Sequence, residues 1–153
     1  MSDFHWQAKT FDQLTTNELY DALQLRVDVF VVEQECYYPE LDDCDRHPQT
    51  HHLMAYQGNT LAAYLRILPK GVSYPDHVSI GRVTTKQTFR GQGLGKALMD
   101  KALDLCNEHF SGQSIKISAQ QYLEAFYQEL GFETVSDMYL EDGIPHIAMI
   151  KAV

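Results

Sequence analysis

The sequence predicts one mixed-sheet domain of the α/β or α+β class spanning residues 1–153. Three observations lead there. Segments with helical apolar spacing alternate with short β-patterned segments; hairpin signals stand at the front and back of the chain; and no repeat, low-complexity tract or Gly/Ser/Pro-rich linker divides it. A length of 153 residues suits a single domain, and a content of 44% hydrophobic and 11% aromatic residues can fill its core, which excludes a disordered chain.

Thr15 and Glu18 stand at capping-box spacing, and Leu19, Leu23, Val27 and Phe30 follow at helical intervals. They predict a helix over about 15–30 with an apolar stripe toward the core. Residues 36–51 are acidic, aromatic and irregular and read as a solvated loop. Leu53–Gln57 and Thr60–Leu68 flank Gly58-Asn59, a two-residue hairpin turn. Residues 69–77, with two prolines and a glycine, form the next loop. Val78–Thr85 alternates as a strand, with a phase change near Gly81 that suggests a bulge. A glycine-rich turn opens a helix running to about Phe110, on which Cys106 faces the core, and a strand over Ser114–Gln120 comes next. Leu123, Phe126, Tyr127 and Leu130 mark a short helix closed by Gly131, and Phe132–Val135 and His146–Ala152 are the last strands.

Composition narrows the function. Twelve Lys and Arg against 21 Asp and Glu give a net charge of −9, so a uniform basic footprint for nucleic acid is absent. No apolar run is long enough for a membrane span, and the first residues lack a signal-peptide pattern. Cys36, Cys44 and Cys106 form no CxxC pair, which suits the reducing cytoplasm. Cys44, His47 and His51 lack a second ligand pair of matching spacing, and neither HExxH nor an EF-hand is present, so no metal is expected. No G-x-S-x-G elbow supports hydrolase chemistry.

The chemistry lies in Arg90-Gly91-Gln92-Gly93-Leu94-Gly95-Lys96, between a strand and a helix. Small residues let backbone approach a pyrophosphate, and free N–H groups at a helix N-terminus point toward it. A dinucleotide fingerprint starting at Gly91 would need glycine where Lys96 stands. A P-loop would need glycine at Arg90 and Ser or Thr at Ala97. Both fail. Arg90-x-x-Gly93-x-Gly95 instead resembles the coenzyme A pyrophosphate loop of the GCN5-related N-acetyltransferase (GNAT) superfamily, and Tyr127-x-x-x-Gly131-Phe132 resembles its second conserved block. Leu23–Gln34, Ile80-Gly81-Arg82-Val83, Ala119-Gln120 and Glu141–Ile147 extend the likeness, over about residues 10–150, to the bacterial ElaA-like branch.

The resemblance implies an α+β acyl-CoA N-acyltransferase fold: a twisted, mixed, mostly antiparallel sheet, splayed near its centre, with helices on both faces. It implies an N-acetyltransferase moving an acetyl group from acetyl-CoA to a primary amine of a small molecule or protein, by direct attack in a ternary complex. A non-catalytic acyl-CoA-binding sensor on the same fold is the alternative. Coenzyme contacts fall on Val83, Thr84, Thr85, Arg90, Gly91, Gln92, Gly93, Leu94, Gly95 and Lys96, and the general acid on Tyr127. Many relatives carry a glutamate in the strand corresponding to 78–85, but this segment holds no carboxylate. The base is left between Glu33, His146 and a water chain to bulk, a histidine being suited by its titration near neutral pH. Exposed strand edges and the habit of the branch allow a homodimer.

Overall fold

The computed structural model describes residues 3–153. Helix α1 (Thr16–Arg26) begins at its anticipated cap: Thr15 Oγ1 accepts the Glu18 N–H at 3.1 Å and Glu18 Oε1 accepts the Thr15 N–H at 2.9 Å. It then widens into a π-helix over Val27–Glu33, so the whole element outruns the expected end near residue 30. The buried side chains are Ala22, Leu25 and Arg26; the expected stripe of Leu19, Leu23, Val27 and Phe30 is only half-buried. The stripe is rotated because an arginine, ordinarily a surface residue, occupies a core position.

Among the described residues the sheet has eight strands. They are β1 (His5–Lys9), β2 (His51–Gln57), β3 (Thr60–Leu68), β4 (Val78–Thr85), β5 (Ile115–Gln120), β6 (Glu133–Thr134), β7 (Tyr139–Glu141) and β8 (Ile144–Lys151). Their order is β1-β2-β3-β4-β5-β8-β6, with β7 also on β8. Every pairing is antiparallel except β4 with β5. The expected strands and the Gly58-Asn59 hairpin are present. Strands β1 and β7 were not anticipated: His5–Lys9 alternates polar and apolar residues but is only five residues long, and β7 has three.

Alternation divides the sheet between two cores. Leu53, Leu65, Ile67, Val78, Ile80, Ile117 and Met149 face α2 (Leu94–His109) and α3 (Glu124–Glu129). Met54, Tyr56, Leu61 and Tyr64 face α1. Cys106 lies in the first core, where burial pushes its thiol up to about 12. No helix among the described residues is long and apolar enough to cross a membrane.

The 36–51 segment is the irregular, largely exposed loop its composition suggests, but two of its acids are not solvated. Glu40 and Asp45 are buried and Arg26, at 1% exposure, donates to both: Nε to Glu40 Oε2 and Nη1 to Asp45 Oδ1, each at 2.8 Å. Arg66 Nη1 reaches Asp45 Oδ1 at 2.9 Å and Asp42 Oδ1 at 2.6 Å. His52 donates through Nε2 to the Asp45 carbonyl at 3.0 Å and accepts from the Tyr64 hydroxyl at 2.6 Å. The arginines needed to draw these acids inward lie far away in sequence, and net charge cannot reveal that pairing. Burial raises the Asp45 carboxyl, but hydrogen bonds and charge from Arg26 and Arg66 outweigh it and hold the group below its ordinary range.

Removing one member of such a buried cluster leaves charge uncompensated. Asp45→Asn therefore lowers stability by about 3–5 kcal/mol in urea titration at pH 7. Because the folded Asp45 pKa lies below the unfolded one, its stabilisation is complete above about pH 4 and is lost as pH falls through the folded value. The urea midpoint of the wild type should accordingly fall more steeply than that of Asp45→Asn as pH is lowered below about 4.

Candidate active site

Strands β4 and β5 pair only at Val78↔Ile115 and Ser79↔Lys116, then diverge. Two parallel strands that part after two rungs leave the facing backbone groups of both edges without ladder partners. On its other edge β4 is bulged: Tyr64 pairs with Thr84 but Arg66 pairs with Gly81, so Arg82 and Val83 together oppose Leu65. The bulge lies one residue beyond the expected position, and its left-handed residue is Arg82, with φ of 54°. Arg82 Nη2 donates to the Glu40 carbonyl at 3.0 Å and its guanidinium is ion-paired with Glu40 Oε1.

The divergence opens a cleft of about 610 Å³. Of the residues expected to bind or react, Val83, Thr84, Thr85, Arg90, Gly95, Tyr127, Glu33 and His146 line it. Thr84 Oγ1 is buried there without a hydrogen-bond partner.

The glycine loop lies at the N-terminus of α2. Gly91 and Gly93 have φ of 82° and 76°, and Gly93 is the N-cap, without any side-chain cap. The N–H groups of Leu94, Gly95 and Lys96 are therefore first-turn donors with no intrahelical acceptor. A Cβ on Gly95 would touch the Phe126 ring at 4.0 Å, so α2 starts directly beside α3. Leu94 packs into the core, and Lys96 Nζ pairs with Asp100 on the surface at 2.9 Å. Arg90 grips Glu33 through both carboxylate oxygens at 2.6 and 2.8 Å and also donates to the Thr85 carbonyl. The hydrogen bond from Arg90 holds the Glu33 carboxyl below its usual range.

The Tyr-x-x-x-Gly-Phe spacing has a local cause. Phe132 N–H donates to the Tyr127 carbonyl at 3.1 Å and Gly131 N–H to the Gln128 carbonyl at 3.0 Å, with Gly131 at φ of 97°. This is a Schellman end to α3, in which Tyr127 and Phe132 make the accompanying apolar contact, ring centroids 6.0 Å apart. Tyr127 is 6% exposed, and burial pushes its phenol up to about 12.

The opposite wall was only partly legible. His146 Nδ1 lies 2.7 Å from the Ile144 carbonyl, and Nε2 lies 3.5 Å from Glu141 Oε2. Ser118 Oγ reaches Glu141 Oε1 at 3.0 Å and Tyr139 Oη at 2.6 Å. Tyr139↔His146 and Glu141↔Ile144 pair across a two-residue Asp142-Gly143 turn with both φ values positive. That Asp-Gly dipeptide is the signal that would have placed Glu141 beside His146. Cys36 also lines the cleft, its thiol donating to the Asp142 carbonyl at 3.3 Å, with no base bonded to it. Cys44, His47 and His51 do not converge: His47 Nδ1 accepts from Gln49 N–H, and His51 stacks on His109 at 4.4 Å.

A bulged strand splayed from its parallel neighbour, with a glycine-capped helix at the opening, matches known proteins throughout. The sequence profile described as "Acetyltransferase (GNAT) domain" matches residues 16–153. A crystal structure of an acyl-CoA N-acyltransferase from Pseudomonas aeruginosa superposes with a TM-score of 0.94 at 46% identity, over 98% of this chain and 100% of that one. The chain belongs to the GNAT superfamily, has the acyl-CoA N-acyltransferase fold, and is an enzyme of the N-acetyltransferase type. Its branch is the ElaA-like one. Protein ElaA of Escherichia coli is 40% identical over 148 residues, which are 97% of this chain and 96% of that protein. The crystal structure of E. coli ElaA gives a TM-score of 0.92 at 39% identity, over 97% of this chain and 99% of that one.

Because Gly93 caps α2 in the left-handed region, Gly93→Ala strains the backbone although its Cβ would meet open space. A loss of about 1–2 kcal/mol is expected in thermal or urea unfolding. Gly95→Ala, at ordinary φ, should lose less.

Proposed function

We propose that this protein transfers an acetyl group from acetyl-CoA to a primary amine, with both substrates bound together. The observation that carries the reading is the meeting, in one cleft, of the unpaired β4 edge, the first turn of α2 at Gly95 and the buried Tyr127. The site fits a phosphorylated polyamide thioester. First-turn N–H groups of Leu94, Gly95 and Lys96 suit a pyrophosphate, with Arg90 beside them. The open edge at Val83, Thr84 and Thr85, together with the orphan Thr84 hydroxyl, suits the amides of a pantetheine arm. A bulge N–H there would polarise the acetyl carbonyl.

Tyr127 faces the leaving sulfur in this reading. An unperturbed phenol near pKa 10 would give its proton readily, but burial has moved this one to about 12. Full transfer to a thiolate whose acid lies near 8.5 is then uphill by roughly 5 kcal/mol, so Tyr127 acts first as a hydrogen-bond donor to sulfur as charge builds. Of the candidate bases, His146 is favoured over Glu33. Glu33 already accepts two hydrogen bonds from Arg90, whereas His146 Nε2 accepts none. Direct attack is favoured because Cys36 has no base to make it a nucleophile. The three free cysteines suit a cytoplasmic setting.

Calorimetric titration with acetyl-CoA tests the reading. Micromolar binding is expected, weakened about tenfold in Arg90→Ala/Lys96→Ala through loss of charge-assisted phosphate contacts. No binding at millimolar coenzyme would overturn it. With an amine panel, Tyr127→Phe should lower kcat by about 10²-fold while leaving the acetyl-CoA Kd nearly unchanged. Coenzyme binding without turnover of any amine would favour the sensor alternative.

A further inference from the structure

The cleft wall formed by β5, β7 and β8 carries a donor–acceptor mismatch. A carbonyl can only accept, so His146 Nδ1, 2.7 Å from the Ile144 oxygen, carries the proton, and in the neutral ring Nε2 is a bare lone pair. Nε2 faces Glu141 Oε2 at 3.5 Å, and a carboxylate oxygen is also an acceptor. The other carboxylate oxygen is already served. If Ser118 donates to Glu141 Oε1, its oxygen must take the Tyr139 proton, which gives a chain from Tyr139 through Ser118 to Glu141. With the ring neutral, two acceptors point at each other, and among the described residues no side-chain donor is bonded to Nε2 or Oε2. His146 is not a surface group that water would satisfy freely: its side chain is 8% exposed and lines the cleft.

The faces are informative. Ile115, Ile117 and Ala119 of β5 point toward α2, so Ser118 and Gln120 point the other way. Gln120 pairs with His146 across the ladder and its amide reaches Gln34 at 3.4 Å, on the side of the first helix. Tyr127 and the glycine loop belong to the α2 side. The cleft therefore has a coenzyme side and a second side, and the mismatch lies on the second.

We infer that Glu141 and His146 form the seat of the acceptor's ammonium group. An aliphatic primary ammonium brings three N–H donors and one positive charge, and so can donate to Nε2 and Oε2 together while meeting the carboxylate. An alcohol supplies one donor and no charge. An arylamine is uncharged at neutral pH. The acceptor class is thus the aliphatic primary amine that arrives protonated. One of its N–H bonds breaks as Nε2–H forms; the electron pair stays on the amine nitrogen, and the new imidazolium is neutralised by Glu141. Use of that lone pair on a thioester rests on the acetyltransferase reading above; the seat itself does not.

The test is histidine-selective 15N NMR of the full chain at pH 7.5, titrated with n-propylammonium chloride or n-propanol at matched ionic strength, with and without acetyl-CoA. In the free protein His146 should show a protonated Nδ1 and a bare Nε2. The amine should shift Nε2 and the alcohol should not, and Glu141→Gln should weaken the amine response at least tenfold. Equal responses to amine and alcohol, an imidazolium already present without ligand, or an unchanged response in Glu141→Gln would each overturn the seat. The first two need no variant, so a folding defect cannot rescue it. An intact amine response in a protein that binds no acetyl-CoA would support the seat and overturn the acetyltransferase reading instead.

Discussion

The parting of β4 from β5 after two rungs is the constraint on which the rest depends. A continuous parallel ladder would satisfy every backbone group and leave no room for a ligand. Here the strands separate, and the exposed N–H and C=O groups of both edges become the walls of the cleft. The bulge at Arg82–Val83 is the matching feature on the other edge of β4. It strengthens twist locally and removes one residue from the ladder to β3 where the strand turns away.

A non-glycine residue at φ of 54° costs on the order of 1–2 kcal/mol, and Arg82 is held there by its own side chain. Its guanidinium is bound to Glu40, and Glu40 is bound in turn by the buried Arg26 of α1. Asp42 and Asp45 extend the connection to Arg66 on β3. The acidic segment after the first helix thus lies across the sheet as a brace, joining helix, central strand and bulge. A local irregularity in β4 is tied to contacts more than 40 residues away in sequence.

The same cleft presents different chemistry on its two sides. Toward α2 it offers backbone donors, a cationic group and a buried phenol, a setting for phosphates and a thioester. Toward the first helix it offers a carboxylate and an imidazole, a setting for a cation. The Arg90–Glu33 pair ties the end of the first helix to the glycine loop, so the two sides are mechanically joined. At Tyr127 one local motif sets both backbone and packing: the Schellman end of α3 also packs its ring on Phe132, leaving it at the cleft wall.

By itself the sequence determined what depends on neighbours along the chain. The capping box at Thr15, the Gly58-Asn59 turn, the glycine cap of α2 and the Gly131 stop after α3 are each set by a few adjacent residues. With strand and helix periodicity they gave the mixed sheet, and the spacing of Arg90, Gly93 and Gly95 marked the glycine loop that opens α2 at the cleft. Tertiary structure alone decided what depends on pairing across long separations. It buried Arg26 and drew Glu40 and Asp45 inward, because a charge enters a core only when its partner arrives from elsewhere. It set Arg90 against Glu33, 57 residues away, and so separated two otherwise equal candidate bases. It brought Ser118 of β5 to Glu141 and His146 of the β7–β8 hairpin, because register is fixed by strand pairing and not by the composition of any one strand.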